Sequence, residues 1–139
     1  MPVRAPSYDD LVAALAAQDP AATPAGDVEG VRAQLARTLA SSGTPDRAAL
    51  RTACRDLAQL LAARAPGRTV ELRVPPYAAV QCVTGPRHTR GTPPNVVEVE
   101  PAAWVQLAVG ALTWADAVAD GRLRASGERS DLSAHLPLL

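Results

Sequence analysis

Two arginines, a histidine and an asparagine crowd one short stretch of this chain. Arg87, His88, Arg90 and Asn95 all fall within TGPRHTRGTPPN, residues 84–95. A guanidinium is a planar fork that pairs with a carboxylate or phosphate through two parallel hydrogen bonds. Backbone N–H groups around Gly85 and Gly91 could add donors for the same anion. The chemistry suggested is capture of an acidic head group. The same residues would equally suit a solvated loop whose arginines pair with Glu98 or Glu100. GPRHTRG matches neither the P-loop nor the dinucleotide fingerprint, so nucleotide binding has no support.

The other chemistry-bearing residues are scattered. His135 follows Asp131, but a general base needs an acidic orienter and a nearby nucleophile. There is no Gly-x-Ser-x-Gly elbow and no spaced Ser–His–Asp set. Only two histidines exist, and no Cys-x-x-Cys pair, which argues against a metal site. Cys54 falls on an apolar helix face and Cys82 in an apolar strand, so both read as reduced core cysteines. Asp9 and Asp10 suit a helix start, where the macrodipole favours negative charge. No catalytic residue, metal or cofactor is expected.

Local signals outline the elements that must position these groups. Ser7 with Asp10 forms a capping-box pattern for a helix over 7–18. DPAATPAG, residues 19–26, is a linker. Asp27 caps a second helix, with Val28, Val31, Leu35 and Leu39 at helical spacing. Thr44-Pro45 predicts a third helix with Thr44 as cap and Pro45 at its first position. Leu50, Cys54, Leu57, Leu60 and Leu61 form its apolar stripe, and Arg47, Arg51, Arg55 and Arg64 lie away from or beside it. The period then changes to two. Val70, Leu72 and Val74 share one face of a half-buried strand. After Pro75-Pro76, Ala78–Val83 reads as a second, more buried strand. Val96–Val99 is a third.

Pro101 opens a helix presenting Trp104 and Leu107, and Gly110 ends it. Thr113 opens another presenting Trp114, Ala117 and Val118, and Gly121 ends it. Trp104, Leu107, Trp114 and Val118 could wall an apolar cavity or simply anchor the core. A strand follows over Arg122–Ser126 with Leu123 and Ala125 inward. Ser130 opens a last turn before Leu136, Leu138 and Leu139. Adjacent strands followed by clustered helices predict an α+β fold with helices on one face of a mostly antiparallel sheet.

Composition limits the function classes. At 139 residues the chain has the size of one domain and needs neither disulfides nor metals to fold. Phe is absent, and only two Trp and two Tyr are present, so the core must be aliphatic. All 14 basic residues are Arg and are balanced by 14 acids. That balance gives no basic excess for nucleic acid. The Arg-only usage fits a GC-rich, actinobacterial-type genome. No stretch approaches a membrane span, and Asp9 and Asp10 sit where a signal peptide needs positive charge. Cytoplasmic location is the expectation.

From residue 46 onward the order of motifs resembles a known family. AAWVQLAVG and TWADAVADG are consecutive helices ending in Gly. RLRASG and DLSAHLPLL then supply a strand and a Leu-rich close. This pattern resembles the second half of sterol-carrier-protein-like domains. VELRVPPYAAVQC with GPRHTRGTPPNVVE resembles a bacterial branch common in actinobacteria. The resemblance implies a sheet of about five strands backed by helices over residues 46–139, with residues 1–45 as a helical extension. It also implies an apolar tunnel that accepts sterols, fatty acids or acyl chains. The polar Pro-rich loop departs from any lipid-contacting element of the family, so fold transfers better than ligand.

Two functions follow as expectations. The first is non-catalytic binding or transfer of an apolar or amphipathic small molecule, such as a lipid, with Arg87 or Arg90 on an acidic head. The second is a protein-interaction or regulatory module with a filled core.

Overall fold

The computed structural model describes residues 4–85 and 95–139. Helix α1 (Tyr8–Gln18) begins at the expected capping box. Ser7 Oγ accepts from the Asp10 N–H at 3.1 Å, and the Asp10 carboxylate accepts from the Ser7 N–H at 2.8 Å. Asp27 caps α2 (Val28–Ala40) by accepting from the Gly30 N–H at 2.7 Å. Helix α3 (Arg47–Arg64) departs from expectation. Its cap is Asp46, which accepts from the Ala49 N–H at 2.9 Å, and Pro45 precedes the helix. The reason is tertiary: the Asp46 N–H donates to Gln18 Oε1 at 2.6 Å, so the end of α1 fixes where α3 begins.

Four strands form one sheet in the order β2-β1-β3-β4. They are β1 (Val70–Val74), β2 (Ala78–Cys82), β3 (Asn95–Val99) and β4 (Leu123–Ser126). The α+β expectation holds in its coarse form: the described residues give four strands where about five were expected, with antiparallel pairings for β1–β2 and β3–β4 and a parallel one for β1–β3. A tight turn joins β1 to β2, closed by the Tyr77 N–H on the Val74 carbonyl at 2.8 Å. With that side of β1 taken, β3 pairs along its other side and runs parallel to it. The fully buried Val70, Leu72 and Val74 suit that central place.

One sheet face carries Val70, Leu72, Val74, Val97, Val99 and Leu123, all buried. The other carries Glu71, Arg73, Glu98 and Arg124. Helix α3 packs along β2, and α4 (Pro101–Ala108) packs on α2 and α3. Trp104 of α4 is buried and donates Nε1–H to the Cys54 carbonyl at 3.3 Å. The short α5 (Trp114–Ala119) lies against β4, and a 3-10 turn (Ser133–His135) follows. Leu11 and Leu15 of α1 and Val31 and Leu35 of α2 join the same core as Leu57, Leu72 and Trp104.

Three burial expectations change. The second strand is less buried than β1, not more: Ala79 and Gln81 are exposed, and Ala78 and Val80 are half-buried. It ends the described sheet, so it has a strand neighbour on one side only. Ala125 is exposed because β4 is the other terminal strand and only Leu123 lies under cover. Helix α5 buries only Ala117, leaving Val118 46% exposed, because its six residues offer one narrow stripe.

Candidate functional site

The terminal position of β2 leaves its inner residues, Ala78 and Val80, without full cover. Helix α3 passes above them with Ala58, a side chain too small to close the space. The result is an open groove of about 460 Å³. Ala58 and Gln59 form one wall, Ala78 and Val80 another, and Pro75, Pro76 and Tyr77 close the end. The lining is mostly apolar, and the size is that of a small-molecule site.

Three side chains bring polarity to its rim: Arg55, Gln59 and Arg73. Arg73 is held to Glu71 by an ion pair of 2.7 Å. Arg55 donates Nε–H to the Tyr77 carbonyl at 3.0 Å. That bond ties the middle of α3 to the β1–β2 turn and sets the direction of the guanidinium.

Arg55 also borders a second groove, of about 510 Å³, between α1 and α3. Ala13, Ala14 and Ala17 line it from α1, and Ala48, Arg51 and Thr52 line it from α3. Asp10 and Arg4 stand at its edge, 3.5 Å apart. The Ser7 backbone N–H and hydroxyl hold the Asp10 carboxyl below its usual range.

The expected candidates lie elsewhere. Arg87, His88 and Arg90 fall outside the described residues. Asn95 donates Nδ2–H to the Thr69 carbonyl at 2.9 Å and accepts from the Arg129 N–H at 3.0 Å. Trp104 and Leu107 are buried in the core, Trp114 is half-buried and Val118 exposed. None of these five lines either groove. His135 is exposed. Both cysteines are free and buried. Burial pushes the Cys54 thiol up to about 12 and the Cys82 thiol up to about 11.

The residues that sequence reasoning missed are Arg55, Ala58, Tyr77 and Val80. One signal for Arg55 was present. Arg47, Arg51 and Arg55 follow at i, i+4 and i+8, with no acid at helical spacing to offset them. The apolar wall carried no signal, because one alanine in an alanine-rich helix looks like any other.

The fold order now meets a family description. A family model described as bacterial SCP ortholog matches residues 46–138. The chain belongs to this sterol-carrier-protein-like family. A comparison with curated proteins found no match. In this SCP-ortholog chain the matched part contributes the whole sheet, α3, α4 and α5. It therefore contains the apolar groove entirely. The α1 wall of the second groove lies outside the matched residues.

Proposed function

We propose that this protein binds, and by binding carries, an apolar or amphipathic small molecule in the groove between α3 and β2. The observation behind the reading is the groove itself: about 460 Å³ of mostly apolar lining in a sterol-carrier-protein-like fold. Binding would come from apolar area removed from water, at about 25 cal/mol/Å² before the costs of association. The reading is non-catalytic. A buried thiol that stays protonated at neutral pH is a poor nucleophile, and both cysteines are of that kind. No group of described His, Cys, Asp and Glu residues is arranged to hold a metal.

Native mass spectrometry of the purified protein, with lipid analysis of anything released, is the direct test. A co-purified acyl or sterol-like mass supports the reading. Val80→Trp should then fill the groove and lower affinity at least about tenfold. A bare polypeptide mass, with no uptake of added fatty alcohol or sterol, would sink it.

A second reading has one observation in its favour. Trp114 and Val118 stand one helical turn apart on α5, half-buried and 46% exposed. They would give a protein partner an apolar foothold. Loss of a captured partner in Val118→Lys, with small-molecule binding unchanged, would favour that reading.

A further inference from the structure

We propose that β2 is a docking edge for a second copy of this chain, with the two β2 strands paired antiparallel about a two-fold axis at Val80. The pairing itself does not depend on the small-molecule reading above.

Strand β2 is open along one side. It is a terminal strand of the described sheet, with β1 on one side and no described strand on the other. The groove beside it is lined from both sheet faces, by Ala78 and Val80 on the inner face and by Arg73 and Ala79 on the outer. A groove that reaches both faces of a terminal strand runs along its edge, where an added strand would lie. Main-chain hydrogen bonding to such an edge is a recurring mode of association.

The composition of β2 suits pairing. Terminal strands are commonly blunted by charge, proline, a bulge or shortness. Strand β4 follows that rule, with four residues and an exposed Arg124. Strand β2 does not: its five residues, AAVQC, include no charge, no proline and no glycine. Ala79 and Gln81 are exposed, and Ala78 and Val80 are half-buried. A strand laid against that side removes apolar area from water.

The flanking charges select a second copy as the occupant and fix its register. On the outer face Ala79 lies beside Arg73, and Gln81 beside Glu71. A two-fold axis at Val80 sets Ala79 of one copy opposite Gln81 of the other and pairs the whole strand. Each outer row then runs from Arg73 of one copy to Glu71 of the other. An axis at Ala79 would instead run from Arg73 to Arg73, and an axis at Gln81 from Glu71 to Glu71. Like charges across strands destabilise a sheet. The charges beside β2 are thus self-complementary in the register that also uses the full strand. A contact of this two-fold kind closes at two copies.

Residues 78–80 also line the small-molecule groove, so a paired edge and a filled groove exclude each other. That exclusion alone rests on the small-molecule reading.

The test is sedimentation equilibrium of the full chain at about 100 μM. The wild-type chain should give twice its 14.4 kDa mass. Ala79 and Gln81 are the positions to change, because both are exposed and neither side chain makes a described bond. Ala79→Lys with Gln81→Lys sets like charges opposite each other and should weaken association about tenfold or more. Ala79→Lys with Gln81→Glu sets opposite charges there and should restore it. A wild-type monomer would overturn the proposal, whatever the variants do. A dimer that responds equally to both variants, or to neither, would overturn the contact or its register. Added dodecanol should lower the dimer fraction. An unchanged dimer with dodecanol bound would overturn the exclusion and leave the pairing standing.

Discussion

Asn95 holds two segments at once. Its amide donates to the Thr69 carbonyl before β1 and accepts from the Arg129 N–H after β4. With both ends engaged inside the protein, Asn95→Ala should cost about 1–2 kcal/mol. The measurement is a urea midpoint. The thiols give a pH dependence of definite sign. Cys54 and Cys82 have pKa values of about 12 and about 11 in the folded chain, against an ordinary 9.0. The folded state therefore keeps its thiol protons longer than the unfolded state. The stability this contributes is complete below pH 9 and is lost as pH rises from 9 toward 12. The urea midpoint should fall across that window. A flat midpoint would mean that the thiols reach water in the native state. A thiol-reactive disulfide reagent at mildly alkaline pH should likewise label these residues only as the protein unfolds.

At the level of elements, the start of α3 separates two candidate caps. Asp46→Ala removes the carboxylate that holds the Ala49 N–H and should cost about 1 kcal/mol. Thr44→Ala, two residues earlier, should change stability by less than about 0.5 kcal/mol. A reversed order in thermal melts would return the cap to Thr44. The two positions show what local signals carry. Ser7, Asp27 and Asp46 each cap an N–H three residues on, so that spacing could not choose between the neighbouring candidates Thr44 and Asp46. The Asp46 N–H on Gln18 of another helix fixes the choice, and that contact is not local. The strands were legible from period two, and the alternation of Val70, Leu72 and Val74 matches the buried face. Their order was not, since the parallel pairing of β1 with β3 depends on which side of β1 the chain returns to. The groove was hidden for the same reason. Ala58 and Val80 matter only because α3 crosses a terminal strand, and that crossing joins residues 22 positions apart. In one dimension Arg51 and Arg55 stood out only as residues away from or beside the apolar stripe.

The whole molecule raises the question of what residues 1–45 are for. The family match begins at residue 46, yet the core does not. Leu11, Leu15, Val31, Leu35 and Leu39 are all nearly or fully buried. At about 1.5–3 kcal/mol for each buried aliphatic side chain, their combined contribution is comparable with the entire 5–15 kcal/mol stability of a typical domain. Helix α2 also supplies Arg32, whose Nε and Nη2 donate to both oxygens of the buried Asp56 at 2.7 and 3.0 Å. Without α2 that carboxylate would be left without its cation, which is strongly destabilising in a buried setting. Residues 46–139 alone should therefore show no cooperative melt by circular dichroism. Asp56→Asn in that fragment should recover part of the lost structure, because it removes the stranded charge while keeping the shape. Adding a peptide of residues 4–45 should recover more, since it returns both the apolar faces and Arg32. A fragment that melts cooperatively near the temperature of the full chain would instead make α1 and α2 an accessory. The groove between α1 and α3 would then be an addition to a self-sufficient fold. A fragment that fails to fold makes the buried faces of α1 and α2 part of one core with the matched residues.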